Sequence, residues 1–453
     1  MNVQDILRVT NGELIAGDLN DLCEEFDRDS RTVGEGQGYL AIKGDNFDGN
    51  LFVEEAVNNG AKTCIISCDV FENVKDEKIL NKIRNNEVNI IKVEDTIKAI
   101  QDVASLKRSI YNIPVVAITG SVGKTSTKDI IASVMAQKYK VYKTQGNLNN
   151  HIGVPFTILS LKDEEALVIE MGMNHLGEIS TLTKIAKPTL AVITNIGTAH
   201  IGNLGSRENI LKAKLEILEG LQGDTVVINN DNDLLNEWAK NQNEYKVISY
   251  GIENENSTYV AKNIKSYEDK SVFELNGEEI VVPVGGEHFV LNALCAIAVG
   301  KYHDISFDRI KKGILNFELT KSRMETDKAS NGATIINDCY NANYDSMKAA
   351  IKYLEGIKGR RKIAVLGDML ELGDFSKELH EDVGSEIKNI DILITIGSEA
   401  KYIAKNASAK EVFKYNSNVE AIEKLKEIIS KGDVILLKAS NSMNFDEIVN
   451  AIK

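Results

Sequence analysis

The sequence predicts an α/β protein built as three successive units, and three observations carry that reading. The chain has 453 residues, about three times a common domain length. Apolar strand-like runs alternate with helix-length segments almost from end to end. One such run ends in a glycine-rich turn and passes at once into a helix. Apolar residues make up 43% of the chain, enough for several cores and too many for a disordered protein.

In chain order, YLAIKG (39–44), the helical LFVEEAVNNGA and the strand KTCIIS form the first unit. DTIKAIQDVASLKRSI (95–110) reads as a helix with Ile97, Ile100, Ala104 and Leu106 on its apolar side. Pro114 opens the buried run VVAIT, so the first unit is drawn as 1–110. The second, 111–320, holds strands ALVIEMG (166–172), AVITNIG (191–197) and DTVVIN (224–229), with helices near 124–137, 207–220 and 288–302. Within it ELNGEEIVV carries an Asn-Gly pair that signals a β-hairpin. The third, 321–453, is the cleanest doubly wound pattern: ATIIND, KIAVLG, DILITIG and DVILLKAS, each separated by a helix-length segment. Asn331-Gly332 marks a turn just before that pattern.

Fifty-three basic against 67 acidic residues give a formal net charge of −14. That balance argues against a general nucleic-acid binder and against attachment to anionic membrane by charge. The N-terminus lacks a basic stretch followed by an apolar one, and no run of about 18 apolar residues occurs, so neither a signal peptide nor membrane insertion is expected. Five scattered cysteines suit a reducing cytoplasm, with Cys64 and Cys68 read as buried core thiols.

The most informative stretch is VVAITGSVGKTSTKDII (115–131). Gly120, Ser121, Val122, Gly123, Lys124, Thr125 and Ser126 link a buried strand to a helix. Glycines let the backbone curl so that its N–H groups face phosphate oxygens. The helix N-terminus adds positive partial charge, Lys124 reaches the β- and γ-phosphates, and the Thr125 hydroxyl suits Mg²⁺. With two residues between the glycines, the loop is two shorter than the usual P-loop. These residues imply a site for a nucleoside triphosphate. A P-loop switch or motor is the rival reading, and the short loop counts against it.

Glu170 and His200 follow strands at the end where open α/β sheets bind ligands. Glu170 suits a Mg²⁺-organising carboxylate or a cap of the next turn; His200 suits a second metal site or an ordinary hydrogen bond. Lys212 and Lys214 read equally as solvated helix lysines.

Taken in order, ITGSVGKTSTK, QGNLNNHIGVP, VIEMGMNHLGEI, ITNIGTAHIGNLGS, AKLEI, GEHFVLNALCA, NDCYNANYDSM and LGDMLELG resemble the Mur ligase family of ATP-dependent amide-bond synthetases in peptidoglycan assembly. The resemblance spans essentially the whole chain. It implies an N-terminal UDP-sugar-binding α/β domain, a central ATPase with a mostly parallel sheet, and a C-terminal Rossmann-like domain for the incoming amine. GNLNN, YNAN and GDMLELG point to the branch whose substrates are UDP-N-acetylmuramoyl-tripeptide and D-alanyl-D-alanine, and a monomer is expected.

The same resemblance implies residue roles. Lys124 and Thr125 hold the triphosphate and its metal; Glu170 and His200 organise Mg²⁺. Lys214 stands at the lysine that is carbamoylated in many relatives, which would make it an anionic metal ligand. Asn292 matches the adenine contact, and Arg323 and Asp338 match phosphate and ribose contacts. Tyr340, Asn341 and Asn343 line the interdomain cleft. Ser30, Arg31 and Lys43 fall in the uridine-nucleotide segment, and Asn147, Asn149 and Asn150 in the stretch contacting the muramoyl-peptide. Two departures stand out. Lys438-Ala439-Ser440-Asn441 replaces a frequent Lys-Gly-Ser-Arg, removing a charge at Asn441, and Ser322 precedes Arg323 where a Gly is common.

Overall fold

In the computed structural model, which describes residues 1–44 and 47–453, the alternation of buried runs and helices produces three main sheets in succession along the chain. The first has five strands in the order Glu13–Ala16, Asn89–Lys92, Thr63–Ile66, Gly38–Leu40 and Phe26–Asp27. Its pairs are parallel except Glu13–Ala16 against Asn89–Lys92.

The second sheet is wholly parallel, with seven strands in the order Tyr259–Val260, Lys246–Gly251, Thr225–Asn229, Leu190–Ile193, Val115–Thr119, Ala166–Glu170 and Val141–Lys143. Val115–Thr119 is buried at every position, as a strand covered on both faces must be. The chain leaves it first toward Val141–Lys143 and later toward Leu190–Ile193, so the order reverses there. A crevice opens at the carboxyl end of such a reversal.

The third sheet runs Glu325–Lys328, Thr334–Asn337, Val434–Lys438, Lys362–Gly367, Ile392–Ile396 and Glu411–Tyr415, antiparallel only at the first pair. A separate antiparallel sheet contains the expected hairpin, Ser271–Leu275 with Glu278–Val282. Its turn residues Asn276 and Gly277 both have positive φ, as a tight hairpin requires.

Several details differ from the sequence reading. The Thr96–Ile110 helix buries Ala99, Ile100, Val103 and Ala104, while Ile97 and Leu106 are only half-buried. Its buried face also includes Lys107 and Arg108, which cap two helices of the central unit. Lys107 Nζ donates to Leu159 O at 2.7 Å, and Arg108 Nε donates to Ala186 O at 2.7 Å. Those carbonyls close the Gly153–Leu159 and Glu178–Ala186 helices, where a cation meets the negative end of each dipole. The segment 207–220 is an α-helix to Leu215 followed by a 3-10 turn over Glu216–Gly220. Asn331-Gly332 turns the hairpin between Glu325–Lys328 and Thr334–Asn337, so it lies within the third sheet. Cys64 is buried, but Cys68 is partly exposed, and both are free thiols. No helix among the described residues is long and apolar enough to cross a membrane.

Candidate active site

A cleft of about 550 Å³ opens where the second sheet faces the third. Its floor is the turn after Val115–Thr119. A Cβ added to Gly120 would lie 1.8 Å from Thr194 Oγ1, so only glycine lets the two strand ends approach. Gly123 has φ +80° and starts the Lys124–Met135 helix. The expectation that successive loop N–H groups face phosphate needs narrowing. Ser121 N donates to Asn195 O at 3.1 Å and Val122 N to Asn195 Oδ1 at 2.9 Å. What remains for an anion is the first turn of the helix, whose N–H groups no intrahelical carbonyl reaches.

Lys124 folds back over this turn, with Nζ donating to Gly120 O at 2.7 Å. Glu170 closes its strand fully buried and is not a cap. It accepts from Thr125 Oγ1 at 2.9 Å and from Asn149 Nδ2 at 2.8 Å. Arg323, from the segment that leads into the third sheet, donates from Nη2 to Thr125 Oγ1 at 3.3 Å. Its guanidinium lies 3.8 Å from the centre of the Tyr340 ring.

Lys212 and Lys214 part company in the structure: the first is exposed and the second is 2% exposed. Burial, with the Lys124 ammonium nearby, pushes Lys214 well below the ordinary lysine range. Burial also lowers Lys124, against the pull of Glu170 and with the push of Arg323. Lys124 and Arg323 thus stand by one buried carboxylate, Glu170, an arrangement that calls for further negative charge.

The remaining residues expected in the cleft divide into two sets. Asn147, Asn149, Asn150, His200, Asn292, Asp338, Tyr340, Asn341 and Asn343 line it. Asn292 Oδ1 accepts from Thr127 Oγ1 at 3.0 Å, and Asp338 is held by Lys438 Nζ at 2.5 Å. Asn343 also caps a helix, accepting from Ser346 N at 2.9 Å, and Asn150 accepts from Gly153 N at 2.9 Å where the next helix begins. His200 Nδ1 lies 2.8 Å from Glu371 Oε2 without forming an aligned hydrogen bond. Asn441 donates to Tyr340 O at 3.1 Å, a neutral contact where relatives' arginine would bring charge.

Ser30, Arg31 and Lys43 do not line this cleft. Ser30 Oγ donates to Glu55 Oε2 at 2.5 Å, Arg31 pairs with Asp29 at 2.6 Å, and Lys43 lies 3.5 Å from Asp48.

Comparison with known proteins bears on this geometry. Residues 27–108 match the Mur ligase family catalytic domain, 118–300 the Mur ligase middle domain and 322–441 the Mur ligase glutamate ligase domain. The chain is 40% identical over 434 residues to the UDP-N-acetylmuramoyl-tripeptide–D-alanyl-D-alanine ligase of Bacillus subtilis, covering 93% of this chain and 91% of that one. The chain belongs to the Mur ligase family.

Solved structures agree with that membership. MurF from Acinetobacter baumannii superposes with a TM-score of 0.88 at 29% identity, over 100% of this chain and 98% of that one. The MurF ligase of Thermotoga maritima, solved with ADP, gives 0.82 at 29% identity over 95% and 97%. The three-domain Mur ligase fold expected from the sequence is therefore the fold of this protein.

Some cleft residues had escaped the sequence reading. Asn195 ties down the phosphate loop, and His288 lines the cleft one helical turn before Asn292. Burial pushes the His288 imidazole down to about 4, so it is neutral at physiological pH. The i, i+4 spacing of His288 and Asn292 was a legible signal that both share a helix face. Glu371 left no such signal, because its meeting with His200 depends on how the third sheet docks.

Proposed function

We propose that this Mur ligase joins D-alanyl-D-alanine to UDP-N-acetylmuramoyl-tripeptide, with ATP cleaved to ADP and phosphate. The observation that carries the reading is the reach of Arg323 from the third sheet's side of the cleft to Thr125 on the phosphate-loop helix. A reaction that makes a hydrolysable intermediate needs its two halves brought together and water shut out.

In the first step, a terminal carboxylate oxygen of the tripeptide attacks the γ-phosphorus and the bond to the β-phosphate oxygen breaks, leaving acyl phosphate and ADP. Two anions meet here, so Lys124, Arg323 and the helix N-terminus serve to neutralise the developing charge. In the second, the dipeptide's uncharged amine attacks the acyl carbon, phosphate departs and the amine proton is lost.

Thr125 and Glu170 would hold Mg²⁺, and His200, which lines the same cleft, would be a further contact to it. A hydroxyl and a carboxylate fit a hard cation, and among the described residues no three His, Cys, Asp or Glu side chains gather into a site of their own. Phosphate oxygens would then supply much of the coordination, as is usual for Mg²⁺ with nucleotides. Bound there, Mg²⁺ supplies Lewis-acid charge to the phosphoryl oxygens. Lys214, held toward the neutral amine by burial, suits carbamoylation: its nitrogen bonds to CO₂, a proton leaves, and an uncharged amine becomes an anion near Lys124.

Asn292 would contact adenine, Asp338 the ribose, and Asn147, Asn149, Asn150, Tyr340, Asn341 and Asn343 the muramoyl-peptide and dipeptide. Ser30, Arg31 and Lys43 would take the uridine nucleotide in a domain drawn as 1–110, with 111–320 for ATP and 321–453 for the dipeptide. The chain would act as a cytoplasmic monomer. The test is phosphate release with ATP, Mg²⁺ and UDP-N-acetylmuramoyl-tripeptide. Release with D-alanyl-D-alanine, and far less with single amino acids, is expected; release independent of any amine would overturn the reading.

A further inference from the structure

The loop that carries His200 is grasped from the third-sheet side at two places. Thr198 donates to Asp345 Oδ2 from both its backbone N–H, at 2.8 Å, and its hydroxyl, at 3.1 Å. Asp345 belongs to the Tyr344–Gly356 helix, capped by Asn343. One residue earlier, Gly197 N donates to Ser121 Oγ of the phosphate loop at 2.9 Å. A Cβ on Gly197 would stand 2.2 Å from Asp345 Oδ2. Further along, a Cβ on Gly202 would stand 2.7 Å from backbone atoms of Glu371, Leu372 and Gly373. Between the two grips lies His200, held in the left-handed region at φ +63°, which is uncommon for a residue other than glycine.

From this geometry we infer that Asp345 is a positioning residue that couples docking of the C-terminal domain to placement of His200. The inference rests on the reading above that His200 meets the nucleotide's metal. Adjacent N–H groups of one loop are tied to two different partners, Gly197 to the phosphate loop and Thr198 to the third domain. While Asp345 holds Thr198, the backbone from 197 to 200 has one path, and His200 projects into the cleft. When the domains separate, that constraint goes, and the backbone that carries His200 is free to take other paths. Metal capture and domain closure then become a single event, so no competent phosphate site exists while water has access.

Three variants of the full chain test this: Asp345→Ala, Asp345→Asn and Gly197→Ala. The last pushes the same contact apart from the other side. Mn²⁺ binding, read by electron paramagnetic resonance with a non-hydrolysable ATP analogue present, is compared with metal-free binding of the analogue. Amide exchange at residues 198–204 is followed in parallel. Asp345→Ala is expected to weaken Mn²⁺ about tenfold, the scale on which groups that orient a metal ligand act. Exchange at 198–204 should speed up while metal-free analogue affinity stays within about twofold of the parent. Asp345→Asn, which keeps an acceptor oxygen, should lie between. Gly197→Ala combined with Asp345→Ala should be no worse than either alone, since both break one contact.

Parent-like Mn²⁺ affinity and exchange in Asp345→Ala would overturn the inference, as would additive losses in the double variant. His200→Ala separates the two layers. If it weakens Mn²⁺ while Asp345→Ala does not, the coupling fails and the metal reading stands. If His200→Ala binds Mn²⁺ as the parent does, the metal reading fails and the coupling falls with it.

Discussion

Arg323 and Thr125 meet across the cleft, with Nη2 3.3 Å from Oγ1, while the same guanidinium sits over Tyr340, 3.8 Å from the ring centre. Its Nε is buried and has no partner among the described residues. An arginine with one buried donor unspent, stacked in place beside a phosphate loop, is poised for an anion.

Replacing it tests that directly. Arg323→Lys keeps the charge but loses the planar stack and the second donor, so it is a severe change at such a site. We expect kcat/KM for ATP to fall roughly 100-fold, the scale of losing one preorganised donor to a developing oxyanion. Steady-state kinetics with both other substrates saturating checks this; a loss under threefold would remove Arg323 from the phosphate site.

Gly120→Ala probes the floor of the cleft. The added methyl would stand 1.8 Å from Thr194 Oγ1, and Thr194 itself donates to Val122 O at 2.7 Å. Relief of that clash must displace either the loop or the end of the neighbouring strand. Calorimetric titration should show ATP-analogue affinity reduced at least about tenfold, with the far-ultraviolet dichroism of the parent retained. Parent-like affinity would mean the two strand ends can separate without cost to the nucleotide.

How much of this was legible beforehand follows from which signals are local. The strand–turn–helix at 115–135 was readable because a wholly buried parallel strand leaves an unbroken apolar run and a phosphate turn needs glycine. The last unit was readable for the same reason, although its edge strands Glu325–Lys328 and Glu411–Tyr415 are half-exposed and lack that run. Lys212 and Lys214 were indistinguishable, because which helix face turns inward is decided by what packs on it. Residue contacts from separate sheets, such as Asp345 with Thr198, leave no periodicity to read. Family resemblance supplied part of what composition and spacing could not.

Lys214 yields a chemical prediction. If the carbamate forms, Lys214→Ala should lose most ligase activity, and short carboxylates such as acetate should restore part of it by occupying the vacated volume with an anion. The parent enzyme should also turn over more slowly in CO₂-depleted buffer than with bicarbonate added. Equal rates in the two buffers would count against the modification and leave Lys214 as an unmodified buried lysine.

Lys107 and Arg108 bear on stability. Each is buried and donates to backbone carbonyls: Lys107 to Glu24 O and to Leu159 O at a helix C-terminus, at 2.9 and 2.7 Å, and Arg108 to Tyr111 O, to Ala186 O at a second helix C-terminus and to Lys187 O just beyond it, at 2.5, 2.7 and 3.0 Å. Lys107→Met keeps the stem and strands the carbonyls, which should cost about 1–3 kcal/mol. Arg108→Met should cost at least as much, since more acceptors lose their donor. Differential scanning calorimetry would register this as a lower Tm for the unit holding the Gly153–Leu159 and Glu178–Ala186 helices. An unchanged Tm would show that water satisfies those carbonyls equally well.

His303 makes stability depend on pH. It follows the Glu287–Tyr302 helix, is 9% exposed, and sits edge-on to Tyr139 and Tyr302 with Nε2 unpartnered. Burial, with Lys138 adding to it, lowers its imidazole from 6.5 to about 4. The unfolded chain therefore binds a proton there at higher pH than the folded one does. The stability this neutral ring permits is fully present above about pH 6.5 and is withdrawn as pH falls toward 4, by at most roughly 3 kcal/mol for a drop of that size. His303→Phe fills similar space with nothing to protonate. Its Tm should decline less steeply than the parent's between pH 6.5 and 4.5, the remaining slope including the similarly lowered His288. Parallel Tm profiles for the two proteins would mean that His303 takes up its proton without unfolding, by turning Nε2 toward solvent.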